Sequence, residues 1–165
     1  VNLKERLQKQ LSTARDYTEK LLADFKTPEQ WTHQVHKNAN HALWFAGHMA
    51  AGDNFFIGVI DPSKADKRPV YEEKFGMGSR PTSNPADYPP VEEILAYMRD
   101  RRKVLLDLLA SLSEADLAKP TPKELEMLFS DVAGVFAMAV WHEGLHSGQI
   151  SVARRALGHE PVFGG

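Results

Sequence analysis

The chain has 165 residues, a formal net charge of −2 and no cysteine. That length suits one domain with a full core and hardly two, so residues 1–165 are expected to form a single domain. The near-neutral charge offers no basic surface to nucleic acid or an anionic membrane. Without cysteine, disulfides, zinc-thiolate sites and a cysteine nucleophile are excluded, and any thiol chemistry must use a thiol brought by a substrate or cofactor.

Four long helical patterns follow in chain order, with no alternating run that argues for a strand. The first covers about residues 2–25, with Leu3, Leu7, Leu11, Ala14, Thr18, Leu21, Leu22 and Phe25 on one side, and Pro28 ends it. The second runs from about 39 to 60 and carries His41, Trp44, Phe45, His48, Gly52, Phe55 and Val59 on its inner stripe. Residues 61–90 hold Pro62, Pro69, Pro81, Pro85, Pro89 and Pro90 with Gly76 and Gly78, so no helix can cross them. The third helix spans about 90–112. Ser113 to Leu117 reads as a single turn, and the fourth helix runs from about 124 to 157 and ends at Gly158, with the alternative that its first third is a separate short helix, since Ser130-Asp131 has the form of an N-cap.

The fold class is therefore all-α. A long segment between helices two and three allows them to run parallel, which gives an up-down-down-up four-helix bundle with a long crossover. The longest apolar run, Val132 to Trp141, is ten residues, too short to span a bilayer. Asn2-Leu3-Lys4-Glu5-Arg6 lacks the basic-then-apolar order of a secretory signal, so a cytoplasmic protein is expected, with neither nucleic acid nor membrane among its partners.

His142 and His146 lie four residues apart on the fourth helix, about 40° from one another around its axis, so both can turn toward one ion. Their stripe also carries Val135, Met138, Ala139, Gln149 and Ala153 and is taken as core-facing. Polar groups inside such a stripe ask for a polar partner, and a metal ion fits best. His48 supplies a third ligand because it lies near the middle of the second helix, as the pair lies near the middle of the paired part of the fourth. His41, two turns earlier, could line the pocket mouth. His33, His36 and His159 are expected at the solvated surface.

His142-Glu143-Gly144-Leu145-His146 formally matches H-E-x-x-H, in which the glutamate is a general base. The extended peptidase pattern fails, because Gln149 and Val152 stand where it needs glycine and histidine. Glu143 keeps three roles: a base for a metal-bound water, a hydrogen-bond partner for a histidine ring, or a salt-bridging carboxylate on the helix flank. Gln149 could orient a ligand or bond the backbone at the helix crossing. Trp44 and Phe55 are candidate pocket walls or core.

Gly47-His48-Met49, then His142-x-x-x-His146-Ser147-Gly148-Gln149-Ile150, then Arg154-Arg155-Ala156-Leu157-Gly158, resembles the DinB-like (YfiT-like) metal-dependent enzyme superfamily over nearly the whole chain. The resemblance implies an up-down-down-up bundle, often a homodimer, with nickel, zinc or iron held by His48, His142 and His146. Its relatives include transferases and isomerases that use low-molecular-weight thiols, and the iron-binding domain of ergothioneine-type sulfoxide synthases. The latter usually carry a glutamate two residues after the second histidine, where this chain has Gly148. The expected function is a metal-activated thiol or water acting on a small electrophile, as a thiol transferase or hydrolase. The competing expectation is a non-catalytic, metal-binding stress-response or structural protein.

Overall fold

A computed structural model describes residues 2–163. Seven α-helices are found among the described residues: α1 (Leu3–Leu22), α2 (Pro28–Trp31), α3 (Ala42–Ile60), α4 (Pro69–Phe75), α5 (Val91–Ser111), α6 (Glu114–Leu117) and α7 (Val132–Ala156). The four long ones are those read from the sequence, and their ends follow local chemistry. Asn2 closes a capping box with Glu5 at the start of α1. The carboxylate of Asp131 accepts from the Gly134 amide at 2.7 Å and starts α7, so the segment before it is a separate 3-10 turn, Lys123–Leu125, and not part of a helix from 124.

One expectation about proline needs correction. Pro28 does not stop α1, which has already ended at Leu22; it occupies the first turn of α2, inside a Thr27–Gln30 capping box. No helix crosses 61–90, as expected, but the segment holds short helical pieces. Pro62, Pro69 and Pro85 each open a short helical piece, because a proline at the first helical position loses no hydrogen bond and arrives with its φ already set. The longest of these, α4, packs on α3 through Phe75, which is fully buried.

Two apolar clusters form the core. One joins Leu21 and Leu22 from the end of α1, Phe45 and Met49 from the start of α3, Ile94 and Met98 from the start of α5, and Ile150 late in α7. The other joins Leu7 and Leu11 early in α1, Phe56 and Ile57 late in α3, Leu105 and Leu109 late in α5, and Val135, Phe136 and Ala139 early in α7.

Among the buried polar groups of the bundle is a quartet of charges, with one residue from each long helix. Arg15 of α1 reaches Asp53 of α3 at 3.0 Å and Glu143 of α7 at 2.8 Å, and Arg102 of α5 reaches the same two carboxylates at 2.9 and 2.6 Å. None of the four is more than 7% exposed. Two guanidinium groups and two carboxylates cancel in charge, and remaining donors go to the carbonyls of Met98 and Leu11, at 2.8 and 2.9 Å. Burial pushes the Asp53 carboxyl up, but Arg102 and Arg15 together outweigh it and hold the group below the usual carboxylate range. Such a network contributes little net stability over an apolar replacement, yet removing one member strands a buried charge.

Candidate metal centre

His48, His142 and His146 come together, with one nitrogen from each lying within 4.8 Å of the other two. The local sequence explains how each ring is aimed. Gly47 leaves room for Phe75, since a Cβ there would stand 2.4 Å from its ring. Phase and position of α4 are thereby fixed, and the Phe75 carbonyl accepts the Nδ1–H of His48 at 2.6 Å. That hydrogen bond leaves Nε2 of His48 with its lone pair facing Nε2 of His142 at 3.0 Å. A shared proton or a cation is needed between two such nitrogens.

His142 occupies space that Gly52 leaves open on α3, where a Cβ would come 3.1 Å from the ring. His146 is set by Gln149, whose Oε1 lies 3.0 Å from Nδ1 and also accepts from Asn40 Nδ2 at 2.9 Å. With both amide hydrogens of Gln149 on its other atom, Nδ1 of His146 must be the donor, and Nε2 is the nitrogen left free. The Trp44 ring stacks on His48 with centroids 4.4 Å apart and meets His146 edge-on at 5.8 Å. Burial lowers His48 and His142 to about 4, and it lowers His146 as well. All three imidazoles are therefore neutral near pH 7, the state in which they can bind a divalent ion. The donor set fits such an ion.

Glu143 is not at this cluster. Successive residues turn by about 100° on a helix, and the buried face of α7 is centred on Glu143, not on the histidines. Both carboxylate oxygens face arginines: Oε1 accepts from Arg15, and Oε2 has Arg102 at 2.6 Å but off the hydrogen-bond line. The structure thus places it in a salt bridge, in the core instead of on a flank. The same shift of phase puts Gln149 on the exposed side of α7, bonded to His146. The stripe drawn from the sequence was centred about 70–90° away from the buried one.

His41 is fully buried but has no nitrogen to offer. It is the N-cap of α3, accepting from the Trp44 amide at 3.1 Å, while its Nε2–H donates to Thr82 O at 2.8 Å. His36 is exposed as expected, whereas His33 and His159 are half-buried. Trp44 is buried against the histidines, and Phe55 is 46% exposed, lining the groove beside them instead of filling the core.

Arg15, Asp53 and Arg102 escaped the sequence reading. Their signal was present: Arg15 follows Leu11 by four residues, Arg102 falls between Met98 and Leu105, and Asp53 between Met49 and Phe56. Charges in step with apolar stripes on three helices, beside Glu143 on a fourth, mark a buried set.

The described residues thus form an all-helical protein in which three neutral imidazoles from two long helices converge into a cluster that could hold a metal ion. Residues 10–150 match the family model of the DinB superfamily, and the chain belongs to that superfamily. Among curated proteins, no match to the chain is found.

Proposed function

We propose that this chain is a divalent-metal-dependent enzyme that directs a thiol or water at a small electrophilic substrate, as a thiol transferase or a hydrolase. The observation that carries the reading is the convergence of three neutral imidazoles, each oriented by its surroundings, at a groove wide enough for a small molecule. His48, His142 and His146 would hold the ion, with nickel, zinc or iron the candidates. When bound by three neutral ligands, the metal would keep its positive charge and acidify a coordinated water or low-molecular-weight thiol.

The chain's own residues supply orientation and exclusion of water. Phe75 O and Gln149 Oε1 fix two of the rings, and Trp44 covers His48 on one face. Glu143 stays with its arginines and holds the bundle together, so it accepts no proton from substrate in this scheme.

The helix order up-down-down-up belongs to the same proposal, with 1–165 as one domain. It is supported by the core partition, in which the starts of α1 and α7 share a cluster with the ends of α3 and α5. A homodimer is supported by a stripe on the outer face of α7, where Leu145 and Val152 are 47 and 59% exposed. No helix among the described residues is long and apolar enough to cross a membrane.

A non-catalytic role as a metal-binding structural or stress-response protein is the competing reading, favoured by the way the ligands tie α3 to α7. Elemental mass spectrometry on the native chain and His48→Ala tests the metal site. About one equivalent of a first-row metal, lost in the variant, is expected, followed by turnover in a screen of thiols against electrophiles. A native chain that takes up no nickel, zinc or iron would sink both readings. Metal without turnover would leave the structural one.

A further inference from the structure

The groove beside the histidines is large and almost wholly apolar. It has a volume of about 980 Å³ and is lined by His48, Gly52, Phe55 and Val59 of α3 and continues to Pro62. Those residues span about 14 positions, so the groove runs roughly 20 Å along the helix with His48 near one end. Facing α3 are Leu128 and Phe129 from the loop before α7, and Met138, Trp141 and His142 from α7 itself. Phe55, Leu128 and Trp141 are 46, 46 and 60% exposed at its rim, and Met77 is 93% exposed. Large apolar side chains gathered around one concavity, and not scattered singly, mark a binding surface.

Its charges are few and mutually opposed. Arg68 bonds Asp66 at 2.8 Å, and its guanidinium lies over the Tyr97 ring at 4.0 Å. Lys67 and Glu72, of opposite sign, are the remaining charged residues of the lining. No net charge is therefore offered to the body of a ligand, and an ionic body would lose hydration without compensation.

We propose that the groove binds the uncharged, elongated apolar body of the substrate, an aryl or medium-chain alkyl group, with its polar reactive group at His48 and His142. This substrate class rests on the reading of the histidines as a metal-dependent reaction centre. A short polar molecule would leave most of the groove in contact with water. A chain of six to eight carbons replaces that water along α3 and gains affinity with each methylene.

The test uses the full chain loaded with zinc and a series of alkyl hydroxamates from two to eight carbons, with affinity measured by calorimetry. Hydroxamates chelate metals, so the head group reports on the histidines and the chain on the groove. Affinity is expected to rise roughly threefold to fourfold per methylene over the series. Leu128→Glu, and independently Phe55→Asp, should flatten that dependence with zinc content unchanged. Both positions are half-exposed, and circular dichroism checks that each variant folds.

A parallel arm uses metal-free protein and measures displacement of Nile red by butanamide, hexanamide and octanamide. If zinc does not bind but the amides still displace the dye in order of chain length, the metal reading fails and the apolar site stands. If acetohydroxamate and octanohydroxamate bind alike and the amides show no order, the groove proposal is overturned with the metal reading intact. A flat series together with a dimer that Leu128→Glu dissociates in sedimentation would assign the groove to a second copy of the chain, and would equally overturn it.

Discussion

The Nδ1–H of His48 donates to the carbonyl oxygen of Phe75 at 2.6 Å, so the crossover between α3 and α5 orients a ring that α3 presents. Phe75 reaches that position only because position 47 is glycine, where a Cβ would stand 2.4 Å from the aromatic ring. Gly47→Ala should therefore weaken metal binding without touching a ligand. Loss of a partner that orients a ligand typically costs about 10–100-fold in affinity, and overpacking costs about 1–3 kcal/mol of stability. Competition titration against a chromophoric chelator measures the first and urea unfolding the second. Unchanged affinity would mean that His48 needs no help from α4.

Gln149 and His146 are linked in the same way from the other side of the site, at 3.0 Å. Gln149→Leu removes the acceptor while keeping similar size. Metal affinity is expected to fall about tenfold, with stability nearly unchanged because the side chain is exposed. If Gln149 instead touches substrate directly, the variant would alter KM and leave metal affinity as it was.

Glu143 offers a sharp contrast between roles. As a member of the buried quartet, its replacement by glutamine leaves one positive charge of Arg15 and Arg102 uncompensated, and breaking a buried pair costs about 3–5 kcal/mol. Glu143→Gln should lower the urea midpoint strongly, and Arg15→Met combined with Glu143→Gln should cost less than the sum of the two. The folded fraction of Glu143→Gln should still bind metal. Full stability with lost turnover would restore the glutamate as a base.

His41 gives the metal-free protein an acid sensitivity. Burial depresses it from 6.5 to about 4, because its ring is enclosed between α3 and the Thr82 segment with the Tyr88 ring edge-on at 5.4 Å. The unfolded chain takes up the proton first, so this group costs nothing above pH 6.5, and stability is lost progressively as pH falls from 6.5 toward 4. The full loss is on the order of 3 kcal/mol. His48 and His142, held low by burial too, add to the slope. His41→Asn retains an N-cap acceptor without a titrating ring, so urea unfolding between pH 7 and 5 should show a shallower decline than in the native chain. An identical slope would remove His41 from the account.

Much of this architecture was legible in the one-dimensional pattern. Helical periodicity identified α1, α3, α5 and α7, because caps and apolar repeats act locally; the last was read from 124, with Ser130-Asp131 as a cap signal inside it, and it begins after Asp131. The histidine trio was legible for a related reason: His142 and His146 share a helix, and His48 sits at a matching depth. The crossover prolines did bar a continuous helix, but the short helices they open were not read, since the same ring that forbids a helix interior favours its first turn.

The rotation of each helix about its own axis was set by long-range packing. A sequence assigns inward and outward by polarity, and on α7 that rule centred the core on His142 and His146 and sent Glu143 to the flank. Arg15 and Arg102, contributed by helices distant in sequence, neutralise Glu143 and let it occupy the centre, which turns the histidines toward the groove and Gln149 toward solvent. Charge compensation across 128 residues of chain depends on partners that no local window contains. Local pattern was enough to say which long helices form and which imidazoles can meet; the packing of four helices set which face of each is inside.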